Sequence, residues 1–149
     1  MGLKKKTWES LAFGLFVIYL LFLIYFLFFA GEFGRENFKP ERASNLTLFR
    51  EIRRAISSTD VLGLPYFLIN VVGNIMAFFP MGLLVPIFAD SLRKFWKTML
   101  FCFGFSALAE CLQFVTKTGC MDVDDLLLNT LGGIMGYFIY YCFFRRKRK

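Results

Sequence analysis

Carboxylate side chains stand directly beside a long apolar run near the end of this sequence. Asp122, Asp124 and Asp125 precede a stretch without charged residues that extends to Phe144. Carboxylates in such a place can bind hydrogen-bond donors or cations, or can act as a general acid or base. They can also cap a helix, since short acids favour the positive end of the helix dipole. The choice between these roles depends on which other polar groups face them.

Further polar side chains lie inside the apolar runs, where an ionisable group costs about 2.5 kcal/mol or more unless it is paired or hydrated. They are Asn70, Asn74, Glu110, Gln113 and Asn129. The spacing of four between the first two, and of three between the next two, places each pair on one helix face. Amides between membrane helices can also be simple structural contacts, contributing about 0.6 kcal/mol each. The eight residues together are the predicted functional polar cluster.

The amino-acid composition indicates the environment of these polar side chains. Apolar residues make up 57% of the chain, and 21 of its 149 residues are Phe. No Asp, Glu, Lys or Arg occurs in residues 10–31, 61–89 or 126–144, and residues 98–115 are apolar apart from an acid and an amide. Each run approaches the roughly 20 residues that span a bilayer. The sequence is therefore that of a membrane protein.

The apolar runs predict the fold class, an all-α integral membrane bundle of four transmembrane helices. The expected helices cover about residues 8–30, 65–89, 98–115 and 125–144, within one domain at 1–149. The first is expected to be an anchor rather than a cleaved signal peptide, because its apolar part is too long. Gly132 and Gly136 predict a close helix contact, and Pro80 and Pro86 predict a bend in the second helix.

The basic residues predict the orientation. They cluster at residues 4–6, 93–97 and 145–149, which fall on one side of the membrane if there are four spans. Because basic residues near short loops stay in the cytoplasm, both termini are expected there, with residues 32–60 and 116–125 outside. The eight predicted polar residues then face outward. The net charge of +7 reflects this topology and contact with anionic lipid, and no nucleic-acid motif is present.

The outer segment has a helical pattern of its own. In residues 45–57, Phe49, Ile52 and Ile56 recur at helical spacing, while charged residues occupy the other faces. This pattern predicts a short amphipathic helix lying on the membrane.

The residue types present exclude some chemistry. The chain has no histidine, which argues against a zinc site of the usual kind and against an imidazole-activated nucleophile. Its four cysteines form no C-x-x-C pair and are expected to be small apolar residues. No metal ligand set is predicted and no cofactor is specified, although an all-oxygen acidic cluster is compatible with a hard divalent cation.

Three blocks of the sequence resemble the signature blocks of VanZ-like membrane proteins. They read GNIMAFFPMGLL at 73–84, AECLQF at 109–114 and DVDDLLLNTLGGIMGY at 122–137. The upstream NLTLF resembles the Asn-Leu-x-Pro-Phe of that family, with Leu48 where proline is usual. The likeness covers about residues 45–141, and the blocks occur in the family's order.

The resemblance implies a bacterial plasma-membrane protein of a family linked to resistance against teicoplanin-type glycopeptides, which act on the cell-wall precursor outside the membrane. The residues that match the family's motifs are Asn74, Glu110, Gln113, Asp122, Asp125 and Asn129.

Three classes of function remain open at the level of sequence. The first is a protective protein that engages a lipid-linked wall precursor or a lipid-tailed antibiotic at the outer leaflet. The second is an intramembrane enzyme acting on a lipid-linked envelope substrate, with Glu110 as acid or base. The third is a small transporter subunit, for which four helices would require an oligomer. The bilayer is the expected partner, and the oligomeric state is not specified.

Overall fold

The computed structural model describes residues 2–29, 45–50, 53, 68–116, 118 and 121–145. Within them four α-helices follow one another along the chain: α1 (Gly2–Phe29), α2 (Gly73–Phe88), α3 (Phe95–Thr116) and α4 (Val123–Tyr140). π-Helical turns at Leu68–Val72 and Tyr141–Arg145 extend α2 and α4, and a 3-10 turn at Asp90–Leu92 joins α2 to α3. The described residues contain no β-strand, so the predicted all-α class is confirmed.

All four helices are long and apolar enough to cross a membrane. The candidate spans are Lys6–Phe28, Asn70–Phe88, Phe95–Thr116 and Val123–Arg145. Each overlaps one predicted span, and the bounds differ by a few residues at the ends, where apolar runs do not mark the first turn. A continuous helix satisfies every backbone donor and acceptor inside the lipid, which explains why these runs adopt it.

Helices α2 and α4 form the closest contact in the bundle. A β-carbon added at Gly132 or Gly136 would overlap the backbone carbonyl of Ile75 or Phe79 in α2. One added at Gly82 would overlap the carbonyl of Gly133. The absence of side chains thus lets the two backbones touch, as expected for small residues between membrane helices. The prediction for Gly132 and Gly136 is confirmed.

The prolines do not interrupt α2. Pro80 and Pro86 both lie inside the continuous helix Gly73–Phe88. Membrane helices tolerate proline because neighbouring helices and local adjustments satisfy the freed carbonyls. The carbonyl oxygen of Pro86 lies in the last turn of α2, where it accepts a hydrogen bond from Nε of Arg93 at 3.3 Å.

Helices α1 and α3 complete the bundle around α2. The main buried cluster joins Phe16 of α1 to Phe78 and Met81 of α2 and Cys102 of α3. The hydroxyl of Tyr19 donates to the carbonyl oxygen of Ala77 at 2.7 Å, which fixes α1 against α2. Many large apolar side chains, especially on α1, remain exposed, as expected for surfaces that contact lipid.

One end of the bundle is basic. Arg93, between α2 and α3, forms ion pairs with Glu9 of α1 and with Asp90. The hydroxyl of Tyr137 in α4 donates to the carbonyl oxygen of Arg93 at 3.0 Å. These contacts place the start of α1 and the end of α4 at the same end of the bundle, which we call the basic end.

Candidate functional site

The other end of the bundle is organised around the first turn of α4. Asp122 is the N-cap of this helix, and its Oδ1 accepts a hydrogen bond from the backbone amide of Asp124 at 2.8 Å. The same carboxylate accepts from Nδ2 of Asn45, at 3.1 Å to Oδ1 and 3.2 Å to Oδ2. The capping role considered for Asp122 is therefore real, and the same side chain also binds a second segment of the chain.

That second segment, residues 45–49, is tied to the start of α4 through its backbone. Asn45 donates its amide to the carbonyl of Met121 at 2.9 Å and accepts from the amide of Val123 at 3.1 Å. The amide of Phe49 donates to Oδ1 of Asp124 at 2.5 Å. Phe49 has a φ of 64°, a conformation that L residues rarely adopt. The fully buried Asp124 carboxylate thus holds a strained turn in place.

The predicted amphipathic helix at residues 45–57 lies mostly outside the described residues. Asn45 and Thr47 form a side-chain turn, in which Oδ1 of Asn45 accepts from the amide of Thr47 at 3.2 Å. The described residues Arg50 and Arg53 are helical, and the amide of Arg53 donates to the carbonyl of Phe49 at 2.9 Å.

Glu110 of α3 is also joined to the start of α4. Only 4% of its surface is exposed, and its Oε2 accepts the backbone amide of Asp122 at 3.0 Å. This amide belongs to a helix N-terminus, which carries partial positive charge and free donors. The buried carboxylate therefore faces a group that favours negative charge.

Helix α2 reaches the same place through an amide. Nδ2 of Asn74 donates to Oδ1 of Asp125 at 2.5 Å, which links the first turn of α2 to the first turn of α4. Residues from α2, α3 and α4 thus meet around one helix N-terminus, as their shared depth predicted. We call Asn45, Asn74, Glu110, Asp122, Asp124, Asp125 and Asn129 the polar cluster.

Asn129 lies deepest in the polar cluster and has one unusual atom. It is 2% exposed, and its Nδ2 donates to Oγ of the fully buried Ser106 at 2.9 Å. Its Oδ1 has no hydrogen-bond partner among the described residues. Nearly all buried polar atoms in proteins have partners, so this acceptor can take one further hydrogen bond.

Two further predicted residues are Gln113 and Asn70. Gln113 is buried, but its Nε2 donates to the carbonyl oxygen of Leu27 in α1 at 2.9 Å, which ties α3 to α1. Asn70 lies in the π-helical turn before α2 and is partly buried.

Two members of the arrangement were not predicted as site residues. Ser106 stands one turn before Glu110, so the i, i+4 spacing was a signal that could have found it. Asn45 belongs to a segment identified by its helical pattern and by its resemblance to a family motif, and neither feature marked it as a site residue. No signal in the sequence paired it with Asp122, since 77 residues separate them.

The chemistry open to the polar cluster follows from these contacts. The carboxylates of Asp122, Asp124 and Asp125 accept amide donors of the chain itself, and so fix geometry. Among the described residues no group of three Cys, Asp or Glu side chains is placed to hold a metal ion. Oδ1 of the buried Asn129 has no partner among the described residues, and it is chemically able to accept an N–H or O–H donor.

Four membrane helices and a buried polar cluster at one end define a multi-pass membrane protein. The sequence profile of the VanZ/LLP1 family matches residues 16–145, which is most of the chain, so the chain belongs to the VanZ/LLP1 family.

The curated proteins contain a relative that supports this assignment. Protein VanZ of Enterococcus faecium is 27% identical over 95 residues, which cover 64% of this chain. The match spans 58% of the length of that relative, less than two thirds of it. No solved structure matches the chain.

Proposed function

We propose that this protein protects a bacterial cell against teicoplanin-type glycopeptide antibiotics, including lipoglycopeptides, by acting at the outer leaflet of the plasma membrane. Family membership supports the class of function. The location of the proposed site is supported by the polar cluster. Its hydrogen bonds join α2, α3, α4 and residues 45–49 at one end of the bundle.

The orientation rests on charge. Both described chain ends lie at the basic end, together with Arg93, Lys94 and Arg145. Because basic residues are retained in the cytoplasm, this end faces inward and both termini are cytoplasmic. The polar cluster then faces outward, where glycopeptides meet the lipid-linked wall precursor.

The proposed ligand combines a lipid tail with a polar head. A lipid-tailed antibiotic or a lipid-linked precursor would keep its tail in the bilayer, and its head would lie level with the first turn of α4. An amide or hydroxyl donor on that head would bind Oδ1 of Asn129, which has no partner among the described residues. An unpaired buried acceptor costs about 1–3 kcal/mol, and a ligand donor would recover that free energy.

The test is a susceptibility profile. Cells that express the chain should tolerate more teicoplanin than cells that carry the empty vector. Tolerance of a glycopeptide without a lipid tail, and of an unrelated cytoplasmic antibiotic, should stay unchanged. Equal teicoplanin susceptibility with the chain present at normal abundance in the membrane would contradict the proposal.

A second candidate is an intramembrane enzyme that acts on a lipid-linked envelope substrate. The observation that favours it is the 4% exposure of Glu110, because a buried carboxylate in a polar site is a suitable acid or base. Purified protein in vesicles that contain lipid-linked precursor separates the two candidates. An enzyme changes the mass of the precursor with time, whereas a binding protein leaves the mass constant.

A further inference from the structure

A cavity at the basic end is lined by basic and aromatic side chains that have no part in the proposed function. Its volume is about 770 Å³, and it opens at the junction of α3 with the end of α4. Three cations line it, Arg93, Lys94 and Arg145, together with aromatic rings that include Phe95, Tyr137 and Tyr141. No acidic residue is among the described residues that line it.

The aromatic part of the cavity is held in place by its own contacts. The rings of Phe95 and Tyr137 pack edge to face with centroids 5.4 Å apart, and the rings of Tyr137 and Tyr141 lie 6.4 Å apart. The hydroxyl of Tyr137 donates to the carbonyl oxygen of Arg93 at 3.0 Å. These contacts make an apolar wall that exists before any ligand binds, at the depth where aromatic side chains meet lipid headgroups.

The cations differ in how far they are already engaged. Arg93 forms ion pairs with Glu9 and Asp90, so its charge is largely balanced. The guanidinium of Arg145 lies 4.7 Å from the centre of the Tyr141 ring, an arrangement that positions the charge without neutralising it. Lys94 is exposed at the rim. The cavity thus offers positive charge at its mouth and rings in its interior.

We propose that this cavity binds an anionic phospholipid of the inner leaflet, with the phosphate between Lys94 and Arg145 and the acyl chains against the aromatic wall. Charge complementarity selects an anionic head over a zwitterionic one. The position at the end of membrane helices selects a lipid over a soluble anion, since basic pockets between such helices bind acidic headgroups. The proposal does not depend on the function of the polar cluster.

Trp96 provides a reporter beside the cavity. Its ring lies 5.2 Å from that of Phe95, and it is 67% exposed. The chain has two tryptophans, so Trp8→Phe leaves Trp96 as the sole tryptophan, which can be excited selectively over tyrosine. Brominated acyl chains quench tryptophan on contact. Protein in vesicles of phosphatidylcholine and phosphatidylglycerol, with bromine on one or the other lipid, therefore reports which lipid lies against Trp96, next to the cavity, and the cavity variants show whether the cavity selects it.

We expect phosphatidylglycerol to be preferred at Trp96 by about fivefold or more, and Lys94→Gln to reduce this preference by about fivefold. Arg145→Gln should have a similar effect. The control is Lys97→Gln, which removes the same charge from an exposed lysine that does not line the cavity and should leave the preference unchanged. Circular dichroism of each variant confirms that the helices are retained.

Three results would overturn the proposal. The first is equal quenching by the two brominated lipids in the parent protein. The second is an equal loss of preference with Lys97→Gln, which would indicate general surface attraction. The third is release of brominated phosphatidylglycerol by inorganic phosphate at constant ionic strength, because that would identify a site for a soluble anion instead.

Discussion

The carboxylate of Glu110 accepts the backbone amide of Asp122 across 3.0 Å, so an acid buried in α3 holds the first turn of α4. The neighbouring aspartates also accept hydrogen bonds from the chain. Asp122 caps α4, Asp124 binds the turn at Phe49, and Asp125 binds Asn74. A membrane helix begins with three acids here because each accepts a donor from a different part of the chain.

Removing this acceptor should destabilise the bundle. Glu110→Ala removes the side-chain oxygen that accepts the amide of Asp122, and burying an unsatisfied donor costs about 1–3 kcal/mol. Glu110→Gln is the matched control, because the amide oxygen of Gln can still accept the bond. Unfolding in detergent micelles, followed by circular dichroism, measures the difference. Equal stability of the two variants would mean that the contact contributes little.

The contact between α2 and α4 makes a second prediction. Gly82→Ala places a β-carbon on the carbonyl of Gly133, and overpacking costs about 1–3 kcal/mol. Gly104→Ala is the control, because no atom of another described helix lies within 4 Å of the added carbon. The first variant should unfold at a lower temperature and accumulate less in membranes, while the second should match the parent. Parent-like stability of Gly82→Ala would contradict the packing.

Variants of Asn129 and Ser106 can distinguish a structural hydrogen bond from a contact with a ligand. Asn129→Leu and Ser106→Ala both remove the hydrogen bond between these side chains, but only Asn129→Leu removes the acceptor Oδ1. If Oδ1 binds a donor of the ligand, teicoplanin tolerance is lost with Asn129→Leu and kept with Ser106→Ala, at equal abundance. Equal loss in both variants would assign Asn129 a structural role.

The orientation can be tested with exposed positions at opposite ends. Leu46 is 69% exposed beside the polar cluster, and Lys97 is exposed near the basic end. In a background in which the native cysteines are replaced, an impermeant thiol reagent added to whole cells should label Leu46→Cys and spare Lys97→Cys. After the membrane is permeabilised, both should react. The reverse pattern in whole cells would place the polar cluster at the inner leaflet.

The fold could be predicted from sequence because the bilayer imposes strong rules. Charge-free runs of the right length become helices, and each of the four predicted spans overlaps a helix of the structure. Gly132 and Gly136 were predicted as a contact by their spacing, and both touch the backbone of α2. The bend expected at Pro80 and Pro86 stays a prediction, and α2 remains helical through both prolines.

The polar cluster could be predicted only in part. Helical spacing identified Glu110, Asp125 and Asn129 because these residues interrupt apolar runs. It could not pair Asn45 with Asp122, because a contact across 77 residues leaves no periodic trace. Gln113 shares a face with Glu110 by spacing, yet its amide reaches α1, whose position relative to α3 depends on packing that spacing does not encode.

The central claim is that the polar cluster is one functional site, and charge-removing substitutions test it most directly. Glu110→Gln and Asp125→Asn keep an acceptor oxygen for their partners, Asp122 and Asn74, while they remove the negative charge and replace the other oxygen with an NH2 donor. Glu9→Gln is the matched control, since this carboxylate pairs with Arg93 at the basic end.

The measurement is the minimum inhibitory concentration of teicoplanin for cells expressing each variant, with membrane abundance determined by immunoblot. The account predicts that Glu110→Gln and Asp125→Asn each abolish tolerance at nearly normal abundance, that the double variant is no worse, and that Glu9→Gln matches the parent. Such non-additivity is expected of residues that act through one network. Full tolerance in both single variants at normal abundance would contradict the account and leave the acids as structural contacts alone.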